Sequence, residues 1–506
     1  MTAASAAEGN RFRRKNARTV GIAILLSPLL LLTACKPVGP NYSRPPYQAP
    51  PAYKETGASS VVVPPPNPAG GGWTKANPSD GMLKGKWWQI YQDPELNRLE
   101  DRIATNNVQL QQAVETYLAA RDQVAVARAN LFPVLFAGAS AGRSRLSANR
   151  PRTASGQGTA ATNTDLVLSG QASWEPDFWG RIRRSVEAVH ATAQASAADM
   201  ANVDLSLHAE MATDYFELRG LDAQKQLLTK TVADMTHQLD LTEQRLRGGV
   251  ATEADVALAR TQLETTRAQL VDVGVARAQF EHAIGTLGNY DLSTFSIPHS
   301  PLNLVLPRVP IGVPSQLLER RPDIATAERL TDAANARIGI AVSAFYPTIS
   351  LGGAAGFESA HPGTWIQGPS ALWSLGAQAT ELLFDAGQRR ALTSAARHAY
   401  LAQAAAYRNT VFQAFNDVEN QLSTLQILEQ ESSVEQRAVA AAQSSFNISN
   451  QRYKGGVTSY LEVLTAEAAL LQNQRTAIDI ETRRFAASVG LVRAVGGGWD
   501  VTQLPK

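Results

Sequence analysis

The stretch QRYKGGVTS, residues 451–459, is written almost unchanged as QRLRGGVAT at residues 244–252, a shift of 207. The likeness extends outward without a gap. Gly180 falls on Gly387 and Arg183 on Arg390; beyond the nonapeptide, Val256 falls on Val463 and Leu263 on Leu470. Farther upstream the copy continues at a shift of 214, with ARANLFPVLFAGASAG (127–142) matching AVSAFYPTISLGGAAG (341–356). The second copy is therefore about seven residues shorter between Pro347 and Gly387. A repeat of this size decides the fold before any local motif does. A chain of 506 residues would otherwise suggest two or three domains; here it suggests one body built from two similar halves.

Each copy reads as helix, two strands, then a long helix, a tip and a returning helix. In the second copy Arg321-Pro322-Asp323 opens a helix to about Ala344, and Phe345-Tyr346-Pro347 ends it. Period two follows: Ile349, Leu351, Gly353, Ala355 and Phe357 alternate with smaller or more polar residues. Trp373, Leu375, Ala377 and Ala379 repeat the pattern, and Leu166, Leu168, Ala172 and Trp174 carry it in the first copy. Strands are expected near 134–146, 165–175, 348–358 and 372–384. Apolar on one face and small or polar on the other, about ten residues long, they have the form of membrane-barrel strands. Four strands cannot close a useful barrel, and lipid tolerates no open edge. Three chains would supply twelve strands; eight from two chains would satisfy the same closure argument.

From Gly180 to Arg247 there is no proline. One continuous helix of that length would reach about 100 Å. Leu228 and Met235, then Val232, Leu239 and Leu246, recur at sevens, and Val256, Leu263 and Leu270 repeat the period after the tip. That spacing marks side-by-side helix packing. Gly248-Gly249 and Gly455-Gly456 are the reversals, because glycine takes the left-handed turn that ends a helix. Thr252 and Ser459 are the expected N-caps of the returning helices, and Asp93-Pro94-Glu95 is a third helix start.

The N-terminus reads as a processing segment. Arg11, Arg13, Arg14, Lys15 and Arg18 precede an apolar run from Val20 to Leu32, then Leu32-Thr33-Ala34-Cys35. This resembles a lipoprotein signal, with Cys35, the single cysteine, as the acylated residue; Lys36 fits outer-membrane sorting. The expected organisation is signal 1–34, an extended Pro-rich segment 35–86, first repeat 87–300, second repeat 301–500 and tail 501–506. The net charge of +2 belongs largely to the signal, so nothing points to a nucleic-acid partner. Seven scattered histidines, no HExxH and no GxxxxGK[ST] argue against an enzyme or an ATP-driven machine.

The motifs CKPVGPNYSRP, KWWQIYQDPELNRL, WEPDFWGRIRR, LLERRPDIATAERLTDAANARIGIAVSAFYPTISL and VRAVGGGW, in this order, resemble the outer-membrane efflux proteins. Within these TolC-like outer membrane factors they resemble the NodT lipoprotein branch. The resemblance implies an α+β membrane protein that trimerises into a twelve-stranded β-barrel with a periplasmic α-helical barrel. It also implies diacylglycerol and palmitate on Cys35, and no other cofactor. The implied partners are two further copies, outer-membrane lipid, a periplasmic adaptor and an inner-membrane pump of the RND type.

Matched position by position, Glu462 takes an acidic gate site just past the second tip, beside Tyr460. Thr465 stands where relatives often carry Asp. Asp255 is the first-copy equivalent of Glu462. The expectation is that three copies of each acid line a closed neck; as ordinary first-turn acids they would serve only their own helices. The tips, Arg247, Gly248 and Gly249 (about 247–252) and Lys454, Gly455 and Gly456 (about 454–459), are expected to meet the adaptor. With five methionines and no imidazole ladder, organic toxicants or drugs are the expected cargo. Type I protein secretion or metal efflux through the same fold is the alternative.

Overall fold

The computed structural model describes residues 36–47, 49–50, 52–55, 61–62, 85–147, 162–302, 304–310 and 316–505. The signal and Cys35 lie outside them. The main elements are α1 (Pro94–Asn106), α2 (Val108–Ala129), β1 (Val134–Arg145), β2 (Thr162–Trp174), α3 (Arg181–Arg247) and α4 (Glu253–Leu287). There follow α5 (Pro322–Ser343), β3 (Thr348–Ser359), β4 (Ala371–Thr380), α6 (Gln388–Lys454) and α7 (Tyr460–Ala494).

The duplication is reproduced element for element. Shifted by 214, α2 and β1 land on α5 and β3, end for end. Shifted by 207, α3 and α4 land on α6 and α7, again end for end. The change of shift falls between β3 and the end of β4. The fourth strand stops at Thr380 and not near 384. Beyond it, Glu381 and Asp385 turn to Arg389 at 3.2 and 2.7 Å, and Asp385 also accepts the Arg389 backbone N–H at 3.1 Å. That capping arrangement at the start of α6 takes the backbone out of the sheet.

The chain divides into two compact units. One comprises the described residues within Met1–Pro45, Ala119–Ala193 and Arg329–Ala405; the other comprises those within Pro46–Leu118, Gln194–Glu328 and Ala406–Lys506. The first unit carries one antiparallel sheet in the order β1-β2-β3-β4. Its register sorts the side chains by face. Leu135 pairs with Ala172, Leu168 with Phe357, and Ala355 with Trp373, and these apolar residues share one face. Phe136–Gln171, Ser140–Val167, Ser169–Gly356 and Ala354–Ser374 share the other, which is mostly small or polar. The apolar face is uncovered: Trp373 is 76% and Leu375 81% exposed. The outer edges of β1 and β4 pair with nothing among the described residues.

The N-terminal segment lies extended on this same unit. Val38 N–H donates to Trp179 O at 3.0 Å, and Arg184 holds Val38 O, Gly39 O and Asn41 Oδ1 at 3.2, 3.3 and 2.9 Å. Gly39, at φ +90°, lies so close to Gly339 that a Cβ there would sit 2.5 Å from its Cα. Glycine at both positions lets the strap reach α5.

The second unit holds the main core. Leu96, Leu99 and Ile103 of α1 pack with Tyr215, Phe216 and Leu218 of α3 and with Val411, Val418 and Phe485 of the second copy's helices. Asp93 caps α1, accepting the Glu95 and Leu96 N–H groups at 2.8 and 3.1 Å; Tyr215 donates to its other oxygen at 2.6 Å. Among the heptad residues, Leu228, Met235 and Leu263 are fully buried, and the rest are half-buried.

Candidate functional site at the helical tips

Both reversals lie in the second unit and are built alike. Gly249 has φ +71° and Gly456 has φ +73°. At the first, Val250 N–H donates to Arg245 O at 2.8 Å and Gly249 N–H to Leu246 O at 2.9 Å. At the second, Val457 N–H donates to Arg452 O at 2.9 Å and Gly456 N–H to Tyr453 O at 3.0 Å. This is a Schellman closure in each copy, which satisfies carbonyls the helix end leaves open. A Cβ at either position would meet no neighbour, so the positive φ is the whole reason for glycine. Arg247, Gly248, Lys454 and Gly455 are exposed around the turns.

Sequence reasoning passed over the residue after each glycine pair. Val250 and Val457 are 68% and 70% exposed at the two apices. A Schellman turn commonly tucks this residue against its own helix. Here the facing positions are Arg245 and Arg452, and the valines stay uncovered. The sequence signal was available, since an apolar residue closes the reversal in both copies.

The returning helices start differently. Thr252 caps α4 with a full capping box: its Oγ1 accepts Asp255 N–H at 3.2 Å, and Asp255 Oδ2 accepts the Thr252 N–H and hydroxyl, each at 2.9 Å. Asp255 is half-buried and already employed. Ser459 occupies the N-cap of α7, as expected, but makes no side-chain cap hydrogen bond. Its backbone carbonyl instead accepts Glu462 N–H at 3.3 Å. Glu462 and Thr465 are exposed; Thr465 Oγ1 donates to Leu461 O at 2.8 Å.

Tyr460 is buried. With Tyr453, Val463 and Ala259 it forms a small apolar cluster backed by Leu239 and Phe446. The Tyr453 and Tyr460 rings lie 5.3 Å apart. Arg245 of the first copy stacks over the Tyr453 ring at 4.6 Å and donates from Nη2 to Tyr453 O at 3.4 Å. One tip is thereby tied to the other. In the first copy, Glu243 and Arg260 also bridge α3 and α4 at 3.0 Å. Shifted by 207, those positions are Asn450 and Glu467, which cannot form that pair. Glu467 is instead 5% exposed, and its Oε2 has no hydrogen-bond partner among the described residues. Burial, with Asp234 nearby, raises its carboxyl to about 7.

A duplicated chain with a two-faced sheet, paired long helices and glycine-closed tips is the subunit architecture of an efflux channel. The profile of the outer membrane efflux proteins matches residues 99–287 and 313–497, one copy each. The pyoverdine export outer membrane protein OpmQ of Pseudomonas aeruginosa is 30% identical over 433 residues, 84% of this chain and 90% of the relative. The probable efflux pump outer membrane protein TtgC of Pseudomonas putida is 32% identical over 419 residues, 82% of this chain and 85% of the relative. The solved outer-membrane channel OprN superposes with a TM-score of 0.83 at 27% identity, over 91% of this chain and 99% of that one. The chain belongs to the outer membrane efflux protein family. It is an efflux channel subunit of the outer membrane and not an enzyme.

Proposed function

We propose that three copies of this chain close a twelve-stranded barrel in the outer membrane and form the passive exit duct of a tripartite pump. The observation that carries this reading is the sheet: an uncovered apolar face together with two edges unpaired among the described residues. In lipid both must be resolved, the face by acyl chains and the edges by neighbouring strands. Acylation of Cys35 by diacylglycerol and palmitate anchors the N-terminus. Residues 36–41, fixed against the start of α3, support an anchor held close to the sheet-bearing unit.

The tips dock a periplasmic adaptor through Gly248-Gly249 and Gly455-Gly456, with Val250 and Val457 as apolar contacts and Arg247 and Lys454 beside them. The inner-membrane partner is an RND pump, which supplies the energy. Glu462 lines the closed neck with its exposed side chain. Asp255 contributes its charge there while serving its own capping box, and Tyr460 acts by packing and not by facing the lumen. Cargo is small and organic, in keeping with relatives named for pyoverdine export and for toluene and antibiotic efflux.

Planar-bilayer recording of the purified protein tests the duct, with discrete ionic conductance expected. Glu462→Ala should weaken cation preference and open the neck more often; unchanged selectivity and gating would remove Glu462 from the gate. Deletion of the gene should lower the tolerated concentration of amphipathic drugs, and unchanged tolerance across a broad panel would overturn the cargo assignment.

A further inference from the structure

At the end of the sheet where residues 146–161 join β1 to β2, charge is sorted by face. Among the described residues, the charged strand residues on the apolar face are Arg143 and Arg145, at the far end of β1. They continue the row Leu135, Ala137, Ala139 and Ala141, and lie opposite Thr164 and Thr162 of β2. The sheet's carboxylates are on the other face, Asp165 opposite Gly142 and Glu358 opposite Val167. Arg143 and Arg145 are exposed, and neither has a hydrogen bond or ion pair among the described residues. The sequence of 146–161 adds Arg150 and Arg152 and contains no Asp or Glu. No carboxylate nearby in the chain is therefore placed to neutralise the pair.

Position along the strand says what the pair meets. The helices join the strands at the opposite end, α2 before β1 and α3 after β2, so this end points away from the periplasm. Arg143 and Arg145 stand eight and ten residues past Leu135, about 27 and 34 Å along the strand. At a barrel tilt of about 40° that is about 21 and 26 Å along the membrane normal, the outer margin of an apolar band about 25 Å tall. A guanidinium on its long stem reaches the headgroup layer from there. In a closed barrel, β4 of the next copy lies beside β1, and its residues on this face, Ala371, Trp373 and Leu375, bring no carboxylate. The membrane then supplies the nearest fixed anion, a lipid phosphate. Arginine suits it, because the planar fork gives two parallel charge-assisted hydrogen bonds to phosphate oxygens.

We propose that Arg143 and Arg145 bind the anionic phosphate of an outer-leaflet lipid, whose acyl chains lie along Ala141, Ala139 and Leu168. The site rests on the apolar face being the lipid-facing one, and adds which headgroup is held and where. Two cations on one face with no acid beside them favour a lipid of net negative charge over a zwitterionic one. Because β1 is an edge strand, the lipid sits at the seam between two copies.

Native mass spectrometry of the full-length protein in mild detergent tests this, with diphosphoryl lipid A as the anionic probe and phosphatidylethanolamine as the zwitterionic one. The wild type should retain lipid A about tenfold better than phosphatidylethanolamine. Arg143→Gln combined with Arg145→Gln should weaken lipid A retention about tenfold or more. Arg143→Lys with Arg145→Lys keeps the charge without the fork and should weaken it about threefold. Asp165→Asn with Glu358→Gln, on the water face, should leave it unchanged. Particle mass and single-channel conductance of the same samples report the duct separately. Equal retention by the wild type and the glutamine double variant, in conducting particles of unchanged mass, would overturn the site and leave the duct standing. So would wild-type retention without preference for lipid A. A wild-type protein that yields no conducting particle would overturn both. If the double variant does not assemble, Arg145→Gln alone takes its place, with at least threefold weakening expected and wild-type retention contradicting the site.

Discussion

The two tips share a backbone and differ in what fastens them. The first is held by local polar devices: the Thr252–Asp255 capping box and the exposed Glu243–Arg260 pair. The second lacks both and relies on packing, with Tyr453 and Tyr460 in an apolar cluster and Arg245 stacked from the other copy. Duplication kept the turn, where glycine conformation is decisive, and released the fastenings. Local caps are set by neighbours in sequence, whereas an aromatic cluster ties four helices together. The second tip is therefore the one whose opening must disturb the rest of the bundle.

Deleting the packed ring should separate the tips most. Tyr460→Ala should destabilise the second hairpin by about 3–5 kcal/mol, the usual cost of removing a buried aromatic side chain. The equivalent change in the first copy, Glu253→Ala, removes an exposed first-turn acid and should cost at most about 1 kcal/mol. Hydrogen exchange at the two hairpins measures both, and equal effects would erase the distinction.

Acidity gives the next effect. The Glu467 carboxyl sits at about 7 in the folded chain against an ordinary 4.5, raised by burial and by Asp234. The folded protein then binds the extra proton between those values. Its contribution to stability is complete below about pH 4.5 and declines as pH rises through 7. The charged and titratable groups lining one pocket with Glu467 are Asp234, His237 and Lys230 on α3, Tyr453 and Lys454 on α6, and Tyr460 on α7. Opening of the second hairpin should be about fiftyfold more frequent at pH 7.5 than at pH 5. Glu467→Gln should flatten that dependence, and an unchanged slope would assign it to another group.

Smaller contrasts follow. Thr252→Ala should cost about 1 kcal/mol through the lost cap, whereas Ser459→Ala should cost almost nothing. Comparable losses would mean that Ser459 caps its helix in solution. Last, Glu243→Ala should change stability by less than about 1 kcal/mol, because an exposed ion pair is screened. A thermal melt at low and high salt reads that effect.

Most of the fold was legible because it was written twice. The shifts of 214 and 207 fix α2 with α5, β1 with β3, and both long helix pairs. The sheet's faces followed from period two, and Asp93 and Thr252 from cap chemistry. Ser459 holds the expected N-cap position without a side-chain bond, because an N-cap residue type permits that hydrogen bond without guaranteeing it. Glu467 was missed for a different reason. It stands five residues past Glu462, about 140° around the helix, so it belongs to another face. Its burial depends on α3 and α6 closing over α7, and no local pattern in that helix records this. The Arg245–Tyr453 contact joins residues 208 apart in sequence, and only tertiary packing brings them together.

The most direct test of the account is the mass of the purified protein by native mass spectrometry in mild detergent. Three chains per particle are predicted, because only neighbouring copies can satisfy the open edges of β1 and β4 in a twelve-stranded wall. A particle of one or two chains would contradict it.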